Sequence, residues 1–156
     1  MIICDIDGTL FNNHHRKHLI PSIKNVTTNW HDFNSQHVDD EPVQHVIDMV
    51  IGMARNNDHI TFLTSRTKLF KDTTSNQLVN AFRGFGKFKY DLIMRPVDDH
   101  RNTLDFKHDE LTWLSQIGLT GPNIFIDDNV TMVNHVNQAF PHYDTVLVNT
   151  KDCTLT

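Results

Sequence analysis

Apolar residues gather into five short runs separated by longer polar stretches. The runs are Met1 to Ile6, His59 to Leu63, Tyr90 to Met94, Asn123 to Ile126 and Thr145 to Val148. Most are continuous rather than alternating, the pattern of strands covered on both faces. Between them the apolar positions take a helical rhythm. From Pro42 to Arg55, the residues Val43, Val46, Ile47, Val50, Ile51 and Ala54 recur at the spacing of one helix face. Pro42 stands where a first-turn proline is tolerated. Leu111, Leu114 and Ile117 predict a helix over Asp109 to Ile117, ended by Gly118. Val130, Val133 and Val136 predict another over Val130 to Gln138. Lys68 to Phe82 reads as one more, although Asp72 to Asn76 are poor helix formers.

Strands alternating with helices predict an α/β domain with a parallel sheet of five strands. Residues 11–41 break the alternation. They are polar, hold five of the eleven His, and include Trp30 and Phe33. They predict an insertion after the first strand, a loop or small lid over one end of the sheet. The length of 156 residues suits a single domain over 1–156 that buries its own core. No run resembles a signal peptide or reaches the length of a membrane span, so the expected location is the cytoplasm. Cys4 and Cys153 stand far apart and no CxxC occurs, which argues against a zinc ribbon or redox pair. Without HExxH or HxH, the histidines read as surface or lid residues rather than zinc ligands.

Charge refines the picture. The net charge of −5 excludes a protein that coats long duplex DNA, but not one that acts on a short nucleic-acid end. Its distribution is uneven. Residues 1–65 hold 4 basic and 8 acidic groups, residues 66–107 hold 9 and 5, and residues 108–156 hold 1 and 6. The central third alone is positive.

Ligands of such sheets bind beyond the C-terminal ends of the strands, so those ends carry the candidate chemistry. The first run leads into Asp5-Ile6-Asp7-Gly8-Thr9, which is either a turn or a compact acidic site able to attack phosphorus, bind Mg²⁺ and move a proton. The second leads into Thr64-Ser65-Arg66, which suits phosphate oxygens or a helix N-cap. The third leads into Arg95-Pro96, with Asp98, Asp99, His100 and Arg101 beyond. Lys107 follows, expected just before a helix. The fourth leads into Asp127-Asp128-Asn129. Adjacent carboxylates there exceed what a cap needs and suit a hard cation such as Mg²⁺.

This ordered set resembles the haloacid dehalogenase (HAD) superfamily of phosphotransferases. Its DxDGT motif is matched by Asp5 to Thr9, its hydroxyl by Thr64, its lysine by Lys107 and its acidic pair by Asp127 and Asp128. Within that superfamily, Leu92-Ile93-Met94-Arg95-Pro96 with Asp99, Arg101 and Lys107 is similar to the phosphatase half of phage polynucleotide kinase/phosphatases. Thr64-Ser65-Arg66 and Arg16, eleven residues after Asp5, match the same group. Two positions depart from it: Asn129 stands where Arg is more usual, and Thr103 stands where an Asp often precedes the lysine, with Asp105 two residues before Lys107 instead. No GxxxxGK[ST] occurs, so the expectation is a phosphatase without the kinase half.

The resemblance implies a HAD-like Rossmannoid three-layer sandwich. It implies Asp5 as nucleophile, Asp7 as proton donor and then base, and Thr64 and Lys107 on the phosphoryl oxygens. It implies Mg²⁺ held by Asp5, the Asp7 carbonyl and Asp127 or Asp128. Arg16, Ser65, Arg66, Arg95 and Arg101 are the implied substrate contacts, and Trp30 or Phe33 either stacks on a base or packs the insertion onto the domain. The implied reaction removes a 3′-phosphate from a polynucleotide end or nucleotide, in nucleic-acid repair or nucleotide metabolism, in the host cytoplasm for a phage-encoded chain. A 5′(3′)-deoxyribonucleotidase shares the same core motifs. A non-enzymatic phospho-accepting module also pairs Asp, Thr and Lys, but places its acidic pair and acceptor differently.

Overall fold

The computed structural model describes residues 1–55, 59–117 and 122–149, so Gly118 and Cys153 lie outside the described residues. The continuous apolar runs become the strands of one sheet. In chain order the elements begin with β1 (Ile2–Cys4), β2 (Phe11–Asn12), the short helix α1 (His31–Ser35) and β3 (Glu41–Pro42). They continue with α2 (Gln44–Ala54), β4 (Ile60–Thr67), α3 (Lys71–Ala81), β5 (Tyr90–Arg95) and α4 (Thr103–Gln116). β6 (Asn123–Asp127), α5 (Val130–Ala139) and β7 (Tyr143–Leu147) complete it.

The main sheet has the order β5-β4-β1-β6-β7, and every pairing in it is parallel. The chain fills the β4–β5 side first and then crosses to β6 on the other side of β1. That reversal opens a crevice beside the C-terminal end of β1. Successive residues of β1 face opposite ways. Ile2 and Cys4 pack with Val46, Ile47 and Val50 of α2 and Leu78 of α3. Ile3 packs with Phe106, Leu111 and Leu114 of α4 and Val133 and Val136 of α5. Helices therefore cover both faces, the three-layer α/β arrangement of the HAD-like Rossmannoid fold. Burying each of these aliphatic side chains contributes about 1.5–3 kcal/mol. No helix among the described residues is long and apolar enough to cross a membrane.

Several boundaries differ from the sequence pattern for physical reasons. Pro42 does not open α2. It pairs with Phe11 across the two-stranded β2–β3 ribbon, and Val43 precedes the helix. α4 starts at Thr103, because the Asn102 side chain accepts from the Asp105 amide and caps it. Lys107 is therefore inside the helix rather than before it. Ile117 and Val130, at helix margins, are about half exposed instead of sharing the apolar stripes. β4 runs on through Thr67, so Thr64-Ser65-Arg66 caps no helix.

The ribbon clasps the base of the segment between β2 and β3, which consists of 3₁₀ turns and α1. Polar as that segment is, Arg16, Thr27, Phe33, Asn34, His37 and Asp40 are all buried in it.

Candidate active site

Asp5 follows the last residue of β1 and Asp127 ends β6. Cys4 pairs with Ile126, so the two acids emerge side by side, with the Asp5 amide donating to the Ile126 carbonyl at 2.9 Å. Asp128 comes next. Oxygens of Asp5, Asp127 and Asp128 lie within 4.8 Å of one another. From α4, Lys107 donates through Nζ to Asp5 Oδ1 at 2.6 Å and to Asp127 Oδ2 at 2.7 Å. One ammonium faces three carboxylates. Burial pushes the Asp5 carboxyl well above its ordinary range; Lys107 opposes the shift, and Asp127 and Asp128 add to it. Asp128 is pushed up to about 6, by burial first and the Asp127 charge second. For Lys107 burial disfavours the charge, but Asp127 and Asp5 outweigh it and raise its affinity for the proton. An oxygen-only cluster of two buried carboxylates and an exposed one, with excess negative charge, fits a hard divalent cation such as Mg²⁺. Asn129 caps α5 by accepting from the Thr131 and Met132 amides, which leaves both aspartates to the site.

Gly8 shapes the turn after β1. Its φ is +85°, and an added Cβ would lie 2.9 Å from Cγ of Asp128. Thr9 ties the same corner together, its Oγ1 donating to Asp5 Oδ2 at 3.1 Å and accepting from the Asp128 amide at 3.0 Å. Gly8→Ala is expected to cost about 1–3 kcal/mol of stability from backbone strain alone. It should also displace Asp128. Thermal unfolding with and without Mg²⁺ checks both effects: a lower midpoint, and a smaller gain on adding the ion.

Asp7 is turned away from the acidic cluster. Arg66 reaches it from a bulge in β4, where Ser65 and Arg66 lie between the Thr64–Met94 and Thr67–Arg95 pairs. Arg66 Nε donates to Asp7 Oδ2 at 2.9 Å and Nη2 donates to Oδ1 at 2.8 Å. Arg16 Nη2 also donates to Asp7 Oδ1. Burial works against the Asp7 charge, but Arg66 and then Arg16 outweigh it and hold the carboxyl well below its usual range.

Behind the arginines sits Asp40, which sequence reasoning missed. It accepts from Arg16 Nε at 2.8 Å and Nη2 at 2.5 Å, and from Arg66 Nη2 at 3.5 Å, while His15 Nε2 lies 2.8 Å away. Arg16 Nη1 donates to the Phe33 carbonyl at 3.0 Å, and the guanidinium lies 4.1 Å from the Phe33 ring centroid. Arg16 is 0% exposed and stands behind Asp7, which lines the cavity. In this arrangement Arg16 supports Asp7. The only signal for Asp40 was indirect, since a buried arginine requires a carboxylate. Asp40→Asn is expected to destabilise the protein by about 3–5 kcal/mol, the cost of breaking a buried ion pair. Chemical denaturation measures that loss.

The remaining candidates converge on one cavity of about 360 Å³, lined by Asp5, Asp7, Thr64, Ser65, Arg66, Arg95, Arg101, Lys107, Asp127 and Asp128. Lys24, Trp30, Phe33 and Asn34, from the segment between β2 and β3, form another part of its wall. Thr64 is buried, and Ser65 Oγ donates to Thr103 Oγ1 at 3.2 Å. Arg95 donates to the Arg101 carbonyl at 2.6 Å, with its guanidinium 4.7 Å from the Phe106 ring centroid. Arg101 is held by Asp99 and Asp109. Asp105 is exposed and accepts from Asn102, so it does not orient Lys107. Trp30 and Phe33 meet edge to face at 5.5 Å, with Phe33 buried and Trp30 half-buried.

Comparison with known proteins adds an independent line. A family model described as the polynucleotide kinase PNKP phosphatase domain matches residues 1–138. No individual curated protein matches the sequence. Among solved structures, a Pnkp1/Rnl/Hen1 complex contains a chain of similar fold, with a TM-score of 0.63 and 22% identity over 95% of this chain and 45% of that one. A structure described as the Pnkp1/Rnl/Hen1 RNA repair complex gives 0.64 and 22%, over 97% of this chain and 42% of that one. The chain thus spans less than half the length of those neighbours.

Proposed function

Because the chain belongs to the PNKP phosphatase-domain family of HAD phosphatases, we propose that it removes 3′-phosphates from polynucleotide ends in a Mg²⁺-dependent reaction. The observation that carries this reading is the Lys107 bridge between Asp5 and Asp127 on the wall of the cavity. It places a buried carboxylate and a fixed ammonium where a phosphoryl group would sit. An anionic nucleophile meeting an anionic ester needs such countercharge.

Asp5 attacks phosphorus through a carboxylate oxygen. The bond from phosphorus to the 3′-oxygen breaks, leaving an aspartyl-phosphate, and the departing oxygen takes a proton from Asp7. Water then attacks the phosphorus and gives its proton to Asp7, which frees Asp5 and inorganic phosphate. Mg²⁺, held by Asp5, Asp127 and Asp128 with the Asp7 carbonyl, would supply charge neutralisation for both anions. Thr64 and Lys107 hold the phosphoryl oxygens. Asp7 must first gain a proton, and in the substrate-free arrangement Arg66 and Arg16 keep it ionised. Arg66 lines the cavity, so an incoming phosphate competes for its guanidinium and loosens Asp7. Arg95 and Arg101, in the positive central third of the chain, meet the strand's phosphates, and residues 11–41 form a lid beside them.

A panel of 3′-phosphorylated DNA and RNA oligonucleotides, free 3′- and 5′-mononucleotides and an aryl phosphate tests the reading. The expected result is multiple turnover with preference for 3′-phosphates, lost in EDTA and restored by Mg²⁺. Preference for free 5′-mononucleotides would favour a nucleotidase. A single slow phosphorylation without turnover would favour a phospho-accepting module.

A further inference from the structure

A second cavity, of about 190 Å³, adjoins the catalytic one. The two share Thr27 and Asn34. Thr28, His31, Thr67, Leu69, Phe70 and Val97 line only the second. Its wall is formed where α1 meets the chain just past β4. The His31 and Phe70 rings lie 5.5 Å apart between centroids, tilted by 44°. Leu69 is 64% exposed at this cavity although nothing apolar covers it among the described residues. At the junction of the two cavities stands Asn34. It is 5% exposed, and its carboxamide has no hydrogen-bond partner among the described residues. The carboxamide is not sealed off but open to the cavities it lines, where a ligand or water can satisfy it. Thr67, 4% exposed, has a buried hydroxyl without a partner among the described residues.

We propose that this second cavity receives the penultimate nucleotide of a strand whose 3′-phosphate lies against Asp5. The inference rests on the proposed 3′-phosphatase reading and extends it from the reacting group to its neighbour. The adjacency of the cavities, which share Thr27 and Asn34 as lining, argues for this occupant, because consecutive nucleotides must fill adjoining spaces. The lining agrees with it. Flat rings and apolar side chains take a base by stacking, which tolerates any sequence. Asn34, at the junction, offers a donor and an acceptor to the sugar–phosphate link between the two nucleotides. Lys68 and Lys71, both exposed, flank Leu69 and Phe70 in the chain and add positive charge beside them. A free mononucleotide fills the first cavity only. The subsite therefore distinguishes a polynucleotide end from a mononucleotide, a choice that the catalytic residues alone leave open.

The test compares kcat/KM for a 3′-phosphorylated dinucleotide with that for the matching 3′-phosphomononucleotide. The wild-type ratio is expected to be about tenfold or more, the scale of one stacked base. His31→Ala, at an exposed position, and Phe70→Ala should each bring that ratio towards one. The ratio is read within each variant, so a partly unfolded fraction cancels. A wild-type ratio near one, with both substrates hydrolysed, overturns the subsite and leaves the 3′-phosphatase reading standing. Ratios that neither substitution changes do the same. If both 3′-phosphates are inert while the aryl phosphate turns over, the 3′-phosphatase reading fails and the subsite falls with it.

Discussion

Asp5→Asn is expected to lower kcat by at least about 10³-fold, because an amide cannot take the place of a carboxylate that forms a covalent intermediate. The fold should survive. Asp5 is buried, but the substitution keeps its shape, and Lys107 keeps Asp127 at 2.7 Å. In EDTA the variant should even unfold at a higher temperature than wild type, since one of three mutually repelling carboxylates is gone. The pH dependence follows from the direction of the Asp5 shift. The folded chain binds that proton more tightly than the unfolded chain, so unfolding releases it. Its contribution to metal-free stability is therefore present at acidic pH and falls as pH rises above the ordinary carboxylate value. Asp5→Asn should flatten that part of the profile. Thermal midpoints against pH in EDTA read the slope, and steady-state turnover reads the chemistry. Near-wild-type turnover would remove Asp5 as the nucleophile.

The sheet was legible because its signal is local. Parallel strands buried on both faces favour apolar residues at successive positions; Ile2–Cys4 shows that directly, and Ile60–Leu63 departs from it only at the buried Thr61. The acids were legible for a related reason: Asp5 and Asp127 follow apolar runs whose ends the parallel register brings together. What escaped was the geometry of side chains that solve each other's burial. Asp40 sits in a polar stretch without periodicity, and its meaning lies in Arg16 and Arg66, 24 and 26 positions away. The first turn of α4 was hidden for the opposite reason. Thr103 to Lys107 lack an apolar stripe because one inward position there is taken by Lys107, which satisfies carboxylates instead of packing a core. Departures from hydrophobic patterning thus fell where the chain carries its charges.

Lys107→Met separates the two tasks that this buried charge performs. Methionine approximates the lysine stem in volume but leaves Asp5, Asp127 and Asp128 with no cation among them. Removing one partner of a buried ion pair costs about 3–5 kcal/mol, so the variant should unfold at a markedly lower temperature in EDTA. That loss should shrink on adding Mg²⁺, because an ion bound only by the folded state stabilises it by mass action, and the extra negative charge of the variant tightens its hold. Catalysis should not follow. If Lys107 binds a phosphoryl oxygen in the transition state, kcat should stay about 10²–10³-fold below wild type even at saturating Mg²⁺, the scale of losing one preorganised donor. The two readouts should therefore diverge, with stability recovering and turnover remaining low. Were both to recover together, Lys107 would be a structural countercharge alone, and the phosphoryl oxygens would have to find their cation among Lys24, Arg66, Arg95 and Arg101 on the cavity wall.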